Sequence, residues 1–241
     1  MKALILNSGV GRRMGALTEH HPKCMTSISE EHTIVSWQLT LLKELGVRDV
    51  IMTTGPFEDA LKEHTGAYHD GIRFVNNPIC DKTNYIYSMH LAREVLVGDD
   101  ILLLHGDLVP ERSVLEDLIH ASHSAAALED GIPLPEKDFK ARLREGCIAE
   151  IGINVFGEDC MACQPAYKLL RGDMERWLNA IDVFCGRGET SVYAENALNT
   201  QLETIEMHPL MLRGRLCNEI DNANDLAAVS ARFCEYRRDQ R

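Results

Sequence analysis

The chain has 241 residues, enough for one large α/β domain with a sizeable core or for two small domains. With 45% hydrophobic and 26% charged residues it reads as an ordinary soluble globular protein, and no apolar run approaches the roughly 20 residues that span a bilayer. A net charge of −12 argues against a general nucleic-acid binder, and no membrane partner is expected either. The opening run at residues 1–6 is too short for a signal peptide and reads as a buried first strand, so a cytoplasmic location is expected. Hydrophobic periodicity then predicts, in chain order, a strand over 2–7, a helix over 34–45, strands over 49–54 and 72–76, a helix over 84–96, a strand over 101–106 and a helix over 112–121. Strands over 125–128 and 148–155, helices over 168–181 and 191–202, a strand over 205–210 and a helix over 224–237 complete the series. Several strands are near-continuous apolar runs, as in residues 101–104, which is the pattern of strands covered on both faces. Strands alternating with helices predict a largely parallel sheet with right-handed crossovers. The prolines and mixed charge of residues 131–140 mark a connecting loop, or a lid beside a site.

Eight cysteines are scattered along the chain, and the single C-x-x-C pair, Cys160 and Cys163, has no second pair to complete a zinc site. They read as reduced, buried small hydrophobes. The first 25 residues carry Lys2, Arg12, Arg13 and Lys23 against Glu19 alone, a basic island in an acidic chain. Such an island suits a compact anion and is equally compatible with a chance fluctuation.

Behind the first strand lies the turn Asn7-Ser8-Gly9-Val10-Gly11-Arg12-Arg13-Met14. Glycines there let backbone N–H groups approach a phosphate. No G-K-[ST] follows, so it is not a Walker A loop, and Met14 stands where a dinucleotide fingerprint has its third glycine. A dinucleotide-dependent oxidoreductase would also need an acidic ribose-binding residue about 20 positions on, where this chain has Pro22-Lys23 and a helix. Arg13 and Lys23, about ten residues apart, instead flank the turn with two cations able to neutralise a triphosphate and its departing pyrophosphate.

The run from Leu6 to Lys23 resembles the signature of the sugar-phosphate and phosphocholine nucleotidyltransferases, through Gly9, Gly11, Arg13, Met14, Leu17, Thr18, Pro22 and Lys23. Asn7-Ser8 replace the usual two alanines, and Arg12 replaces a small hydroxyl residue. The resemblance implies catalytic roles for Arg13 and Lys23, and a nucleotide cradle made by Leu6, Asn7, Ser8, Gly9, Gly11 and Arg12.

Asp107 follows a buried apolar strand, where open α/β sheets place ligands, and a hard carboxylate there suits Mg²⁺. In the family this aspartate holds the metal; an ordinary turn aspartate is the alternative. Glu219 and Asp221, two apart with Ile220 between them, point to one face if extended and repel unless they share a cation. They match the E-I-D motif of the phosphocholine cytidylyltransferase branch. Asn77, Thr83, Asn84 and Ser88 resemble the segment that in this branch lies beside base and ribose, with Tyr85 replacing a second Asn.

The resemblance covers residues 3 to about 230. It implies an α/β, single Rossmann-like domain of the nucleotide-diphospho-sugar transferase type, with a mostly parallel, mixed central sheet flanked by helices. Residues 1–123 would form a nucleotide-binding half, 124–221 an acceptor-binding half, and 222–241 a C-terminal helix. In the acceptor half, Lys137 and Lys140 suit a phosphate, and Tyr193 with Glu195 suits a cationic group. Tyr167 and Trp177 suit either that role or the core. The implied activity is Mg²⁺-dependent transfer of CMP from CTP to phosphocholine, an aminophosphonate or a phosphoglutamine-type acceptor, in the supply of cell-surface polysaccharide or lipid precursors. A UTP- or dTTP-dependent sugar-phosphate enzyme and a non-catalytic nucleotide-binding relative are the alternatives. The sequence does not give the oligomeric state, and a homodimer would be unsurprising.

Overall fold

The structure is a computed structural model that describes residues 1–9, 11, 14–15 and 18–240. Arg12 and Arg13, assigned above to nucleotide binding and catalysis, lie outside the described residues. The elements in order are β1 (Lys2–Leu6), α1 (Ile34–Glu44), β2 (Asp49–Thr54), α2 (Glu58–Thr65), β3 (Arg73–Asn76), α3 (Tyr85–Leu91), α4 (Arg93–Leu96), β4 (Ile101–His105) and β5 (Leu108–Pro110). There follow α5 (Arg112–His120), β6 (Ser124–Glu129), β7 (Lys140–Arg144), β8 (Cys147–Gly152), β9 (Cys160–Leu169), α6 (Arg171–Gly186), α7 (Ala194–Asn199), β10 (Met207–Met211), β11 (Cys217–Glu219) and α8 (Ala223–Asp239).

The main sheet runs β10-β6-β9-β4-β1-β2-β3, with β7 and β8 added beside β9. Along that path β9 is antiparallel to both neighbours and all other pairs are parallel, so the sheet is mixed and mostly parallel. Side chains alternate across each strand and divide the core in two. Ala3, Ile5, Val50, Met52, Leu102 and Leu104 face one layer, covered by α1, α5 and α8. Leu4, Leu6, Ile51, Ile101 and Leu103 face the other, covered by α3, α6 and α7. This two-sided burial is why the strands read as continuous apolar runs. Among the described residues no helix is long and apolar enough to cross a membrane.

Two expectations are corrected, and one helix is added. Residues 160–169 form the longest strand among the described residues, so the helix predicted over 168–181 begins only at Arg171. The helix over 84–96 breaks at Ala92 into α3 and α4. Residues 58–65 form a helix that the periodicity did not mark. All eight cysteines are free, with Cys160 and Cys163 buried on β9, as the small-hydrophobe reading expects.

α1 ties the fold to the site. Thr33 and Ser36 close a reciprocal capping box at its start. Trp37 Nε1 donates to the Pro110 carbonyl at 2.8 Å. Gln38, fully buried, donates both amide hydrogens, to the carbonyls of His105 (2.8 Å) and Leu108 (2.7 Å). The backbone on either side of Gly106-Asp107 is therefore pinned from beneath.

Candidate active site

β1 and β4 are parallel neighbours in register, Leu6 beside His105, and both end at the same edge of the sheet. The chain leaving β1 forms the loop from Asn7, and the chain leaving β4 carries Gly106 and Asp107. The two approach closely, since the Gly106 N–H donates to the Leu6 carbonyl at 3.0 Å. A Cβ built on Gly106 would lie 1.5 Å from Asn7 Oδ1 and 2.9 Å from the Leu6 carbonyl oxygen. Gly106→Ala is accordingly expected to push the two loops apart, costing about 2 kcal/mol of stability and most of the activity. Thermal unfolding beside a turnover assay checks this, and a variant melting and turning over as the parent does would refute it.

These loops floor a cleft of about 480 Å³, lined among others by Leu6, Asn7, Ser8, Gly9, Gly11, Lys23, Asn77, Thr83, Asn84, Ser88, Asp107, Lys137, Tyr193, Glu219 and Asp221. All of these were named from sequence, and they converge from separate stretches of chain. Gly11 sits at φ +62°, a left-handed conformation that glycine adopts without strain. Thr18 Oγ1 braces it by donating to its carbonyl at 3.0 Å. The Asn7 side-chain nitrogen Nδ2 and the Ser8 hydroxyl are buried and have no partner among the described residues. Buried polar groups left in this condition are costly, and a ligand oxygen would satisfy them.

The carboxylates are assembled by a two-stranded ribbon. β11 pairs antiparallel with β5, Glu219 opposite Leu108, and the Ile220 N–H donates to the Asp107 carbonyl at 3.0 Å. Asp221 leads into α8, whose Asn222–Asp225 capping box fixes its position. Lys23, presented by a short 3-10 turn after Pro22, places Nζ 2.6 Å from both Asp107 Oδ2 and Asp221 Oδ1. Burial opposes the Lys23 charge, but the two aspartates outweigh it and raise its pKa, so it is an ammonium.

The other Asp107 oxygen, Oδ1, is buried without a partner among the described residues. Ligand atoms of Asp107, Glu219 and His105 lie within 4.8 Å of one another. His105 Nδ1 is 3.3 Å from Glu219 Oε1. Burial, with the charge of Asp107 beside it, pushes the Glu219 carboxyl up to about 7, although His105 pulls the other way. His105 was not singled out from sequence; its place two residues before Asp107, at the end of a buried strand, was the available signal. Asp221 faces Lys23 instead of entering this compact set, which differs from the expected trio of Asp107, Glu219 and Asp221.

Beside the carboxylates, Tyr85, Phe139 and Tyr193 form an aromatic corner. Tyr193 lies 5.9 Å from Tyr85 and 5.1 Å from Phe139 between ring centroids. Glu195, 1% exposed on α7, accepts from the Tyr85 hydroxyl and, at 3.2 Å, from that of Tyr167. It holds Tyr85 from below and does not line the cleft, correcting its assignment to the acceptor. Lys140 is corrected likewise: wholly buried, its ammonium donates to the carbonyls of Pro135 (2.6 Å) and Asp138 (2.9 Å) and so shapes the 131–140 loop. Lys137 on that loop is exposed at the cleft and makes no hydrogen bond or ion pair among the described residues. Tyr167 and Trp177 are core residues with no exposed surface.

Asn77 was expected to read a base edge, but its amide is committed. Nδ2 donates to Thr83 Oγ1 and Ser88 Oγ, each at 3.0 Å, and Oδ1 accepts from the Ile79 N–H at 3.1 Å. Asn84 caps α3 through Oδ1, leaving its NH₂ without a partner among the described residues. Asn84 is thus the better placed of the two amides to donate to a ligand.

The mixed, mostly parallel sheet flanked by helices is the fold of solved nucleotidyltransferases. The solved structure of CTP:phosphocholine cytidylyltransferase from Streptococcus pneumoniae superimposes with a TM-score of 0.79 over 96% of this chain and 98% of that one, at 21% identity, a likeness of fold. Residues 3–236 match the MobA-like NTP transferase domain, and the chain belongs to that family. Among curated relatives, choline-phosphate cytidylyltransferase of S. pneumoniae is 25% identical over 93% of this chain and 95% of its own length. CMP-5'-(3-aminopropyl)phosphonate synthase of Streptomyces rubellomurinus is 35% identical over 52% of this chain, which spans 20% of that protein.

Proposed function

We propose that this chain transfers CMP from CTP to a small acceptor carrying a phosphate or phosphonate, with release of pyrophosphate. The observation that carries the reading is the convergence of these groups in one cleft. A glycine loop with unpartnered buried donors, a partly buried ammonium and a carboxylate cluster with an unpartnered oxygen meet there, at the carboxyl ends of β1 and β4. The curated relatives act on phosphocholine and an aminoalkyl phosphonate by their names, which supports cytidine as the nucleotide and a compact anionic acceptor.

An acceptor oxygen bonds to the α-phosphorus as the α–β bridging bond breaks, and pyrophosphate leaves with the bonding pair. The acceptor is already an anion, so no side chain need remove a proton, and catalysis is positioning plus charge stabilisation. Asn7, Ser8 and the glycine backbone receive the phosphates. Lys23 balances negative charge at the reacting centre. Lys137 meets the acceptor's anionic group, while the Tyr85–Phe139–Tyr193 corner holds its body, and a cationic body would gain from the ring faces. The donor set fits a hard divalent cation such as Mg²⁺, held by Asp107 and Glu219 with His105 or Asp221. When bound it would neutralise phosphate charge and polarise the α-phosphoryl group.

Pyrophosphate release with Mg²⁺, each of the four nucleoside triphosphates, and a panel of phosphocholine, phosphoethanolamine, aminophosphonates, phosphoglutamine and sugar phosphates tests the reading. Release with CTP and one such acceptor is expected. Release only with UTP or dTTP and a sugar phosphate would replace the cytidine assignment. Silence across the panel while CTP still binds would favour a nucleotide-binding protein without turnover.

A further inference from the structure

A second group of metal-ligating side chains lies away from the cleft. Ligand atoms of Cys147, Glu206 and His208 fall within 4.8 Å of one another. His208 Nε2 is 3.0 Å from Glu206 Oε1, and the ring of His123 lies against that of His208, tilted by 44° with centroids 4.0 Å apart. The topology puts these residues together. β6 and β10 are parallel neighbours with Ser124 beside Met207, so His123 and Glu206 precede the paired positions and His208 follows by one. Cys147 opens β8. β4 and β6 are both antiparallel to β9 and therefore run the same way. The cluster at the start of β6 is thus at the opposite edge of the sheet from the cleft at the end of β4.

A thiol, an imidazole and a carboxylate form a borderline-soft donor set, unlike the mainly oxygen set in the cleft, and such a set selects zinc-type ions over Mg²⁺. Glu206 is well exposed and His208 partly so, which leaves the ion a path from solvent. We propose that Cys147, Glu206 and His208 form a zinc-type metal site remote from the cleft, with His123 bordering the open coordination position. Binding takes up the ion as the Cys147 thiol gives its proton to solvent and the sulfur becomes a thiolate ligand. The ion would clamp β8 to the edge of β6 and β10.

The test is Co²⁺ uptake by the full chain after chelator treatment, read by thiolate-to-cobalt charge-transfer absorption, with Zn²⁺ affinity taken from competition with a chromophoric indicator. One equivalent of Co²⁺ is expected to give the absorption, and Zn²⁺ is expected to abolish it. Cys147→Ser is expected to lose the absorption, and His208→Ala to weaken Zn²⁺ at least tenfold, by analogy with lost metal-site contacts. His105, Asp107 and Glu219 offer no sulfur, and loss of the absorption in Cys147→Ser separates the site from the Cys24 and Cys80 thiols that line the cleft. No absorption in the parent, absorption that persists in Cys147→Ser, or unchanged Zn²⁺ affinity in His208→Ala would each overturn the assignment. Cys147 and His208 are partly exposed, so metal-free melting temperatures near the parent's are the folding control.

Discussion

Asp107→Asn is expected to lower turnover by about 10²–10³-fold, the range seen when one aligned electrostatic group is removed from an active site. The variant should still unfold in one cooperative transition. Asparagine keeps the shape of the side chain, and the position of residue 107 is set by its backbone. Its flanking carbonyls are held by Gln38, and its own carbonyl accepts from Ile220. What is lost is the charge. Asp107 supplies one partner of Lys23 and one ligand atom of the cluster with His105 and Glu219. The charge on Asp107 also helps to push the Glu219 carboxyl up to about 7, so its removal lets Glu219 ionise more readily without replacing the missing ligand. Pyrophosphate release at saturating CTP and acceptor, beside a thermal melt, checks both halves. Turnover within tenfold of the parent would remove Asp107 from the reacting centre.

Much of this site is legible in the sequence because it is written in local signals. The loop from Asn7, Lys23 after Pro22, Asp107 after an apolar run and the Glu219–Asp221 pair are each short stretches whose residue types announce charge or backbone freedom. The parts that escape are those decided by tertiary pairing. β5 and β11 have three residues each, too few for a period to show, yet their pairing delivers Glu219 to Asp107. β9 contains Gln164, Pro165 and Lys168 and so breaks the apolar pattern of a central strand. Its Lys168 is nonetheless buried, because the carbonyls of Ile119 and Ala121 accept from its ammonium. α2 is polar over most of its surface, with Leu61 and Thr65 buried, so its hydrophobic stripe is too thin to stand out. Charge type likewise misleads when burial is unknown. Lys140 and Glu195 look like ligand-facing groups in the sequence, whereas both serve neighbouring protein groups.

Lys23→Met is expected to lower both stability and turnover, and the pair of effects separates its two roles. Lys23 lies between Asp107 and Asp221 at 2.6 Å from each, with 13% of its side chain exposed. Breaking such a pair costs about 3 kcal/mol, because the two largely covered aspartates stay charged. For a chain of this length that corresponds to a fall in Tm of roughly 6–12 °C. Turnover should fall by about 10²-fold or more if the same ammonium also faces charge on the nucleotide. A divalent cation on the carboxylates would replace the lost positive charge, so Mg²⁺ should raise the Tm of Lys23→Met more than that of the parent. Turnover would stay low, since an ion bound by the carboxylates does not supply an ammonium toward the phosphates. Thermal melts with and without Mg²⁺, run beside the pyrophosphate assay, give all four numbers. If Mg²⁺ restored turnover together with stability, Lys23 would be only a stand-in for the ion, and its assignment as a catalytic residue would fall. If neither stability nor turnover changed, the bridge between Asp107 and Asp221 would not be part of the working site.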